Sequence, residues 1–263
     1  MDWHKYTREL ITVFCSVLFF TGCRSSVFEN RVDCEATICL RAPTNKPIPS
    51  DIAKYIYLRV FDDGFLGESS SVTPDAMNKG ILFMRPKNSE FRWSVLMNWP
   101  GDEAFWYGRR LVVPNETTFP KAYADYLVTE LTGDDYQECI VRMRPLFTEI
   151  KITISEGIEL DFNINSSFGG YSDPELDVFE GSYKNTYHVS GESEIIVPNI
   201  LLSKCVASFE YNSKQYTLDF NDMFISKEFV GDVSDDSPMT IDISIINGDY
   251  VKHSVNFQSF TFS

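Results

Sequence analysis

The sequence is poor in the residues that much catalysis and most nucleic-acid binding require. Only three histidines occur in 263 residues, at positions 4, 188 and 253. So few imidazoles leave little material for histidine-based metal sites or acid–base pairs. Lys and Arg total 23 against 38 Asp and Glu, a formal charge of −15. The basic footprint of a DNA- or RNA-binding protein is missing, and so is the positive charge that docks a protein on an anionic membrane surface. No HExxH, GxSxG or GxxxxGK[ST] pattern is present. The cysteines form no CxxC pairs, so a zinc site lacks its usual close spacing. Convincing helices are scarce, with single turns expected near Pro74–Asn78 and Asn221–Ile225. These absences leave no catalytic residue, cofactor or metal ligand to name, and the expectation is a non-enzymatic protein.

What is present favours a packed body. Apolar residues make up 43% and aromatic residues 14%, enough to bury a core and to exclude disorder. Period-2 alternation recurs along the chain. In Lys54–Phe61, Ile56, Leu58 and Val60 share one face, and Asp62-Asp63-Gly64 supplies the turn. In Glu90–Met97, Phe91, Trp93, Val95 and Met97 share a face before Asn98-Trp99-Pro100-Gly101 ends the strand. Ile150, Ile152 and Ile154, then Ile158, Leu160, Phe162 and Ile164, then Ile241, Ile243 and Ile245 repeat the pattern. A short Asn212-Ser213-Lys214 turn separates two further runs. Many short strands with closely spaced turns predict an all-β protein of two β-sandwiches in tandem. They are expected at 35–137 and 138–263, with Leu131–Tyr136 as the junction. Residues 24–50 read as a tether, a strand at Ala36–Leu40 and a Pro-rich loop.

The amino terminus reads as an address. Lys5 and Arg8 precede an eleven-residue apolar run, Leu10–Phe20. That run is short for a ~30 Å hydrocarbon core and fits the apolar region of a secretory signal. Phe20-Thr21-Gly22-Cys23 then resembles a bacterial lipobox, departing from it at Phe20, where Leu is usual. The expectation is a signal peptide at 1–22 and a lipid-carrying Cys23 opening a tether at 23–34. Each buried CH₂ contributes about 0.8 kcal/mol, so two or three acyl chains anchor stably. The removed segment carries Asp2 and Glu9 against Lys5 and Arg8, so the charge of −15 stays with the body. Cys34, Cys39, Cys139 and Cys205 allow three full disulfide pairings, among which sequence does not choose.

Several residues have a functional and a plain structural reading. His188, in an alternating run, reads as a packed or surface residue, and Gly169-Gly170 reads as a loop. Asp134 and Asp135, and Asp232, Asp235 and Asp236, read as solvated turns. Trp99 and Trp106 flank or follow Pro100-Gly101 and are candidates for a ligand surface. The C-terminal tail places Val251, Val255 and Phe257 on one parity and Phe260 and Phe262 on the other. The change of phase at Gln258-Ser259 suggests a bulge or two half-strands. Such a tail is either a donor strand for a neighbouring subunit or the last strand of its own sandwich.

In order and spacing, Cys23–Cys34, Tyr55–Gly64, Phe91–Trp99 and Val141–Ile154 resemble the FimB-type fimbrial anchor family of Bacteroides-type bacteria, the fimbrillin-like subunits of type V pili. Pro145, in place of a small or apolar residue, departs from the pattern. The resemblance implies transthyretin-like (Greek-key) sandwiches and a structural lipoprotein of the cell outer membrane, with its body exposed at the surface. It would hold a fimbria to the cell, help limit its length, and meet stalk pilins by β-strand exchange. In such pili a stalk subunit is cleaved after an Arg, which makes Arg31 and Arg41 candidate processing sites, whereas an anchor stays intact. The alternatives are a minor or tip subunit acting as an adhesin, and a surface glycan-binding lipoprotein.

Overall fold

The computed structural model describes residues 35–62, 65–87, 89–108, 110–155, 157–172, 175–225, 239–246 and 249–257. The first half contains β1 (Glu35–Arg41), β2 (Ile56–Asp62), β3 (Phe65–Val72), β4 (Ile81–Pro86), β5 (Glu90–Met97), β6 (Trp106–Tyr107), β7 (Arg110–Leu111), β8 (Tyr123–Glu130), β9 (Tyr136–Ile140) and β10 (Arg144–Pro145). The second contains β11 (Phe147–Ile154), β12 (Glu159–Ser172), β13 (Val178–Ser190), β14 (Glu192–Pro198), β15 (Cys205–Tyr211), β16 (Lys214–Asp219), β17 (Met239–Ile246) and β18 (Asp249–Phe257). The protein is all-β apart from short helical turns, among them α1 (Pro74–Lys79) and α2 (Phe220–Ile225), the two places expected from sequence.

Local chemistry explains the turns. Thr73 caps α1 by accepting from the Ala76 N–H at 3.1 Å, Pro74 opens the helix, and Met77 is its buried contact with the body. Asn212 and Ser213 both take positive φ, as a two-residue turn between β15 and β16 demands. Asn98, at φ 60°, accepts from the Lys54 N–H and donates to the Ile52 carbonyl, pinning the loop that leads into β2.

Four sheets form. The first half pairs β4-β1-β9 against β10-β8-β5-β2-β3, and the second pairs β14-β11-β17-β18 against a sheet built on β12. The apolar parities read from the sequence point into the cores: Ile56, Leu58, Val60, Phe91, Trp93, Val95 and Met97 are all buried, as are Ile150, Ile152 and Ile154. Burying one large apolar side chain stabilises by roughly 1.5–3 kcal/mol, so these parities decide which way each strand faces.

Sheet membership changes between β10 and β11. The junction expected at 137/138 falls inside β9, which pairs with β1, so that strand belongs with the first half. Gly169-Gly170, expected as a loop, lies inside the long strand β12. There the register with β13 shifts between Ser166 and Phe168 and again between Phe168 and Gly170. The cause is backbone proximity: a Cβ on Gly181 would lie 2.3 Å from the Gly169 Cα. Past this bulge Tyr171 and Ser172 pair with Leu111 and Arg110 of β7, so the β12–β13 ribbon reaches across to the first half.

Residues 99–119 complete the joint. Phe119 packs edge-on against Trp99, Phe168 and Tyr183, while Trp99 also meets Tyr171. The Tyr171 hydroxyl donates to the Leu146 carbonyl at 2.8 Å, and the Tyr183 hydroxyl donates to the Thr117 carbonyl at 2.8 Å. On the rim, Lys121 bridges Glu149, at 2.9 Å, and Glu194.

Candidate strand-exchange interfaces and ligand surfaces

The first strand of the body occupies an interior slot. β1 pairs antiparallel with β4, Glu35 opposite Pro86 through Leu40 opposite Ile81, and parallel with β9, Thr37 opposite Tyr136 through Arg41 opposite Ile140. Ile38 and Leu40 are fully buried on its core side. Arg41 ends the strand with its guanidinium on Glu138, Nη2 to Oε2 at 3.0 Å and Nε to Oε1 at 3.3 Å. That hydrogen bond holds the Glu138 carboxyl below the usual carboxylate range. Both sides of the Arg41–Ala42 peptide are tied: the Val141 N–H donates to the Arg41 carbonyl at 2.9 Å, and the Ala42 N–H donates to the Met77 carbonyl at 3.0 Å. Arg31 lies outside the described residues, as do Cys23 and Cys34.

The tail forms an edge. β17 lies parallel to β11, Ile241, Ile243 and Ile245 registering with Ile150, Ile152 and Ile154. β18 then returns antiparallel on β17, with Val255 opposite Ile241 and Phe257 opposite Met239. Val251 sits where the register shifts between Ser244 and Ile245. Among the described residues β18 pairs with β17 alone and leaves its outer edge open. Within this chain, then, Val251, Val255 and Phe257 belong to the last strand of their own sheet. Phe260, Phe262 and the phase change at Gln258-Ser259 lie outside the described residues, as do Asp232, Asp235 and Asp236.

The two tryptophans separate. Trp99, expected as part of a ligand surface, is fully buried in the aromatic joint, and its Nε1 donates to the Phe105 carbonyl at 3.3 Å. The chain from Trp99 to Phe119 folds back over the second half, which encloses the ring, so this residue offers no face to a ligand. Trp106 is half-buried: its Nε1 donates to the Pro100 carbonyl at 2.8 Å, and the Arg59 guanidinium lies 5.3 Å from its ring centre. The aromatic side chain that this excursion does expose is Tyr107, at 74%. Sequence reasoning passed over it, because a Tyr before a Gly turn looks like any hairpin residue.

The described cysteines are buried, and His188, Asp134 and Asp135 have side-chain partners. Cys39, Cys139 and Cys205 are free, buried thiols. Cys139 registers with Leu40 on the core side of its sheet, whereas Cys39 is one residue out of phase, so adjacent strands do not bring the two sulfurs together. Burial raises the Cys139 thiol and pushes Cys205 up to about 12, which keeps both protonated. His188 is exposed, its Nδ1 2.9 Å from Asp161 and its Nε2 3.5 Å from Glu159, and the Asp161 hydrogen bond raises its pKa. Asp134 and Asp135 sit in a turn where Asp134 accepts from the Thr132 hydroxyl at 2.8 Å and Asp135 pairs with Lys87. Among the described residues no group of three or more His, Cys, Asp or Glu side chains is placed to hold a metal.

No family model matches the sequence, and no curated protein matches it. Solved structures do resemble the fold. The fimbrial anchor protein Mfa2 of Porphyromonas gingivalis superposes with a TM-score of 0.59 at 14% identity, over 85% of this chain and 98% of that one. A candidate adhesin of Bacteroides thetaiotaomicron gives 0.59 at 12% identity, over 84% and 95%. A candidate adhesin of Bacteroides ovatus gives 0.57 at 12% identity, over 91% and 97%. The chain therefore has the fold that the Porphyromonas fimbrial anchor and these Bacteroides structures share.

Proposed function

We propose that this protein is a lipid-anchored subunit of the outer membrane that holds a fimbria to the cell surface and limits its length. The observation that carries the reading is the filled slot of β1, with both groups of the Arg41–Ala42 peptide hydrogen-bonded. A subunit whose own first strand stays in its sheet has that slot closed to an incoming strand, as suits the end of a polymer. The fold shared with a fimbrial anchor supports the same reading. Contact with the stalk then runs through backbone pairing at an open strand edge, where hydrogen bonds give affinity and alternate side chains give register. The edge of β18, with Val251, Val255 and Phe257 in that strand and Phe260 and Phe262 beyond it, is the place we assign to it. Lipid on Cys23 supplies the attachment to the membrane.

Mass spectrometry of the protein isolated from cells tests the reading. A lipidated Cys23 with residues 41 and 42 still joined is expected. An amino terminus at Ala42 would instead identify a polymerising subunit. Deleting the gene should release filaments or lengthen them; cell-bound filaments of normal length would sink the anchor role. The alternative, a minor or tip subunit acting as an adhesin, draws on the likeness to candidate adhesins and on exposed Tyr107. Immunogold labelling at filament ends, away from the membrane, would favour it.

A further inference from the structure

Three of the large apolar side chains that the body leaves in water stand together. Leu82 and Met84 of β4 and Tyr136 of β9 are 63, 52 and 52% exposed. Pairing within the β4-β1-β9 sheet gathers them: Met84 and Tyr136 both register with Thr37, and Leu82 registers with Cys39. Residues in register across adjacent strands share a face. Ile38 and Leu40 of β1 take the opposite face, into the core. Contacts inside the sheet hold the outer side chains: the Thr37 hydroxyl donates to the Met84 sulfur at 3.5 Å, and the Tyr136 hydroxyl donates to Glu138 at 3.4 Å. Pro86, exposed and of the same parity as Leu82 and Met84, extends the apolar row.

The charges on and beside this face leave no cationic surplus. Arg41 is bonded to Glu138, Asp135 next to Tyr136 pairs with Lys87, and Glu35 is exposed at the rim opposite Pro86. A contact made here is therefore apolar rather than electrostatic. The place where the chain enters says what can cover it. β1 begins at Glu35, on the rim of the face, twelve peptide steps after Cys23. Those steps reach about 40 Å at most, so lipid on Cys23 keeps this rim beside the bilayer. Tethering raises the effective concentration to the millimolar range, where a contact too weak to hold a free chain is occupied. A Tyr with an apolar ring and a polar tip suits the membrane–water interface. A stable protein partner buries about 800 Å² a side, more than these few side chains offer; a tethered contact with lipid has no such threshold.

We propose that the outer face of the β4-β1-β9 sheet rests on the surface of the membrane, against zwitterionic lipid. Leu82 and Met84 enter the upper acyl region, Tyr136 lies at headgroup level, and Glu35 at the rim stays in water. This contact rests on the anchor reading, which supplies the lipid on Cys23. It would fix which side of the body faces the cell and which side is left for other subunits.

The test is hydroxyl-radical footprinting, read by peptide mass spectrometry, on the lipoprotein isolated from cells and reconstituted on phosphatidylcholine vesicles. Labelling of Met84 and Tyr136 should fall at least about twofold from its level in residues 24–263 free in solution. Tyr107, exposed on a different sheet, should be labelled equally in both. Replacing Leu82→Ser and Met84→Ser together should restore Tyr136 labelling on vesicles, with melting like the parent because both side chains already lie in water. Fully reactive Met84 and Tyr136 on a lipid-anchored chain would overturn the proposal and leave the anchor reading standing. A Cys23 without lipid would overturn both. Protection that rises with protein concentration in the absence of vesicles would assign the face to a second copy instead. Protection seen only when anionic lipid is added would refute the apolar basis of the contact.

Discussion

Phe119 offers the sharpest test of how the two halves are joined. It comes from the first half, is buried, and meets Phe168 and Tyr183 of the second at 5.3 and 5.8 Å between ring centres, with Trp99 at 6.4 Å. All three pairs are close to perpendicular, the arrangement in which ring edges and faces attract. Burial of the ring contributes roughly 1.5–3 kcal/mol, and each aromatic pair adds about 0.5–1.5 kcal/mol. Phe119→Ala should therefore cost ~3–5 kcal/mol, the range seen when a buried Phe is truncated and its neighbours relax only partly. For a chain of this size that lowers the melting temperature by about 6–20 °C. Urea unfolding followed by tryptophan fluorescence measures it, since Trp99 reports on the same contact. The transition should also broaden or split, because the two halves lose their shared core. A double-mutant cycle with Phe168→Ala should return a coupling of about 0.5–1.5 kcal/mol. A loss below ~1 kcal/mol for Phe119→Ala, or no coupling, would refute the claim that this ring joins the halves.

Three further outcomes follow from local geometry. Gly181→Ala places a Cβ 2.3 Å from the Gly169 Cα, backbone against backbone, so it should destabilise by ~1–3 kcal/mol; an unchanged melting curve would contradict the close approach. His188 is raised by its hydrogen bond to Asp161, so the contact acts fully below the unfolded pKa of about 6.5 and is lost as pH rises through the higher folded value. Asp161→Asn should bring the His188 titration down when followed by NMR, and an unmoved titration would exclude the pairing. Native Cys39, Cys139 and Cys205 should resist iodoacetamide and react on unfolding, and rapid labelling at these three positions in the folded chain, read by peptide mass spectrometry, would contradict their burial.

Much of the fold was legible because its signals are local. Alternation in Ile56–Val60 and Phe91–Met97 states which face is buried, and Thr73-Pro74 and Asn212-Ser213 carry their turns in their own chemistry. Position within a sheet is not local. Ala36–Leu40 reads the same whether a strand lies at an edge or in the middle, and its place between β4 and β9 depends on partners far along the chain. Trp99 was misread for a similar reason: Asn98-Trp99-Pro100-Gly101 looks like an exposed turn, and only the return of Phe119 and Tyr171 over the ring encloses it.

The place of β1 also bears on the order in which the protein can be made. Among the described strands it is the earliest to be synthesised, yet its parallel partner spans Tyr136–Ile140, nearly a hundred residues later. Closing a loop of that length precedes any reward from the pairing, which makes such contacts slow to form. Until β9 arrives, β1 can lie on β4 with one edge unpaired, and an unpaired edge is a template for a strand of another chain. Synthesis and closure thus run in opposite directions. The row of hydrogen bonds that β9 fills in the finished fold is therefore the last on β1 to gain its own partner.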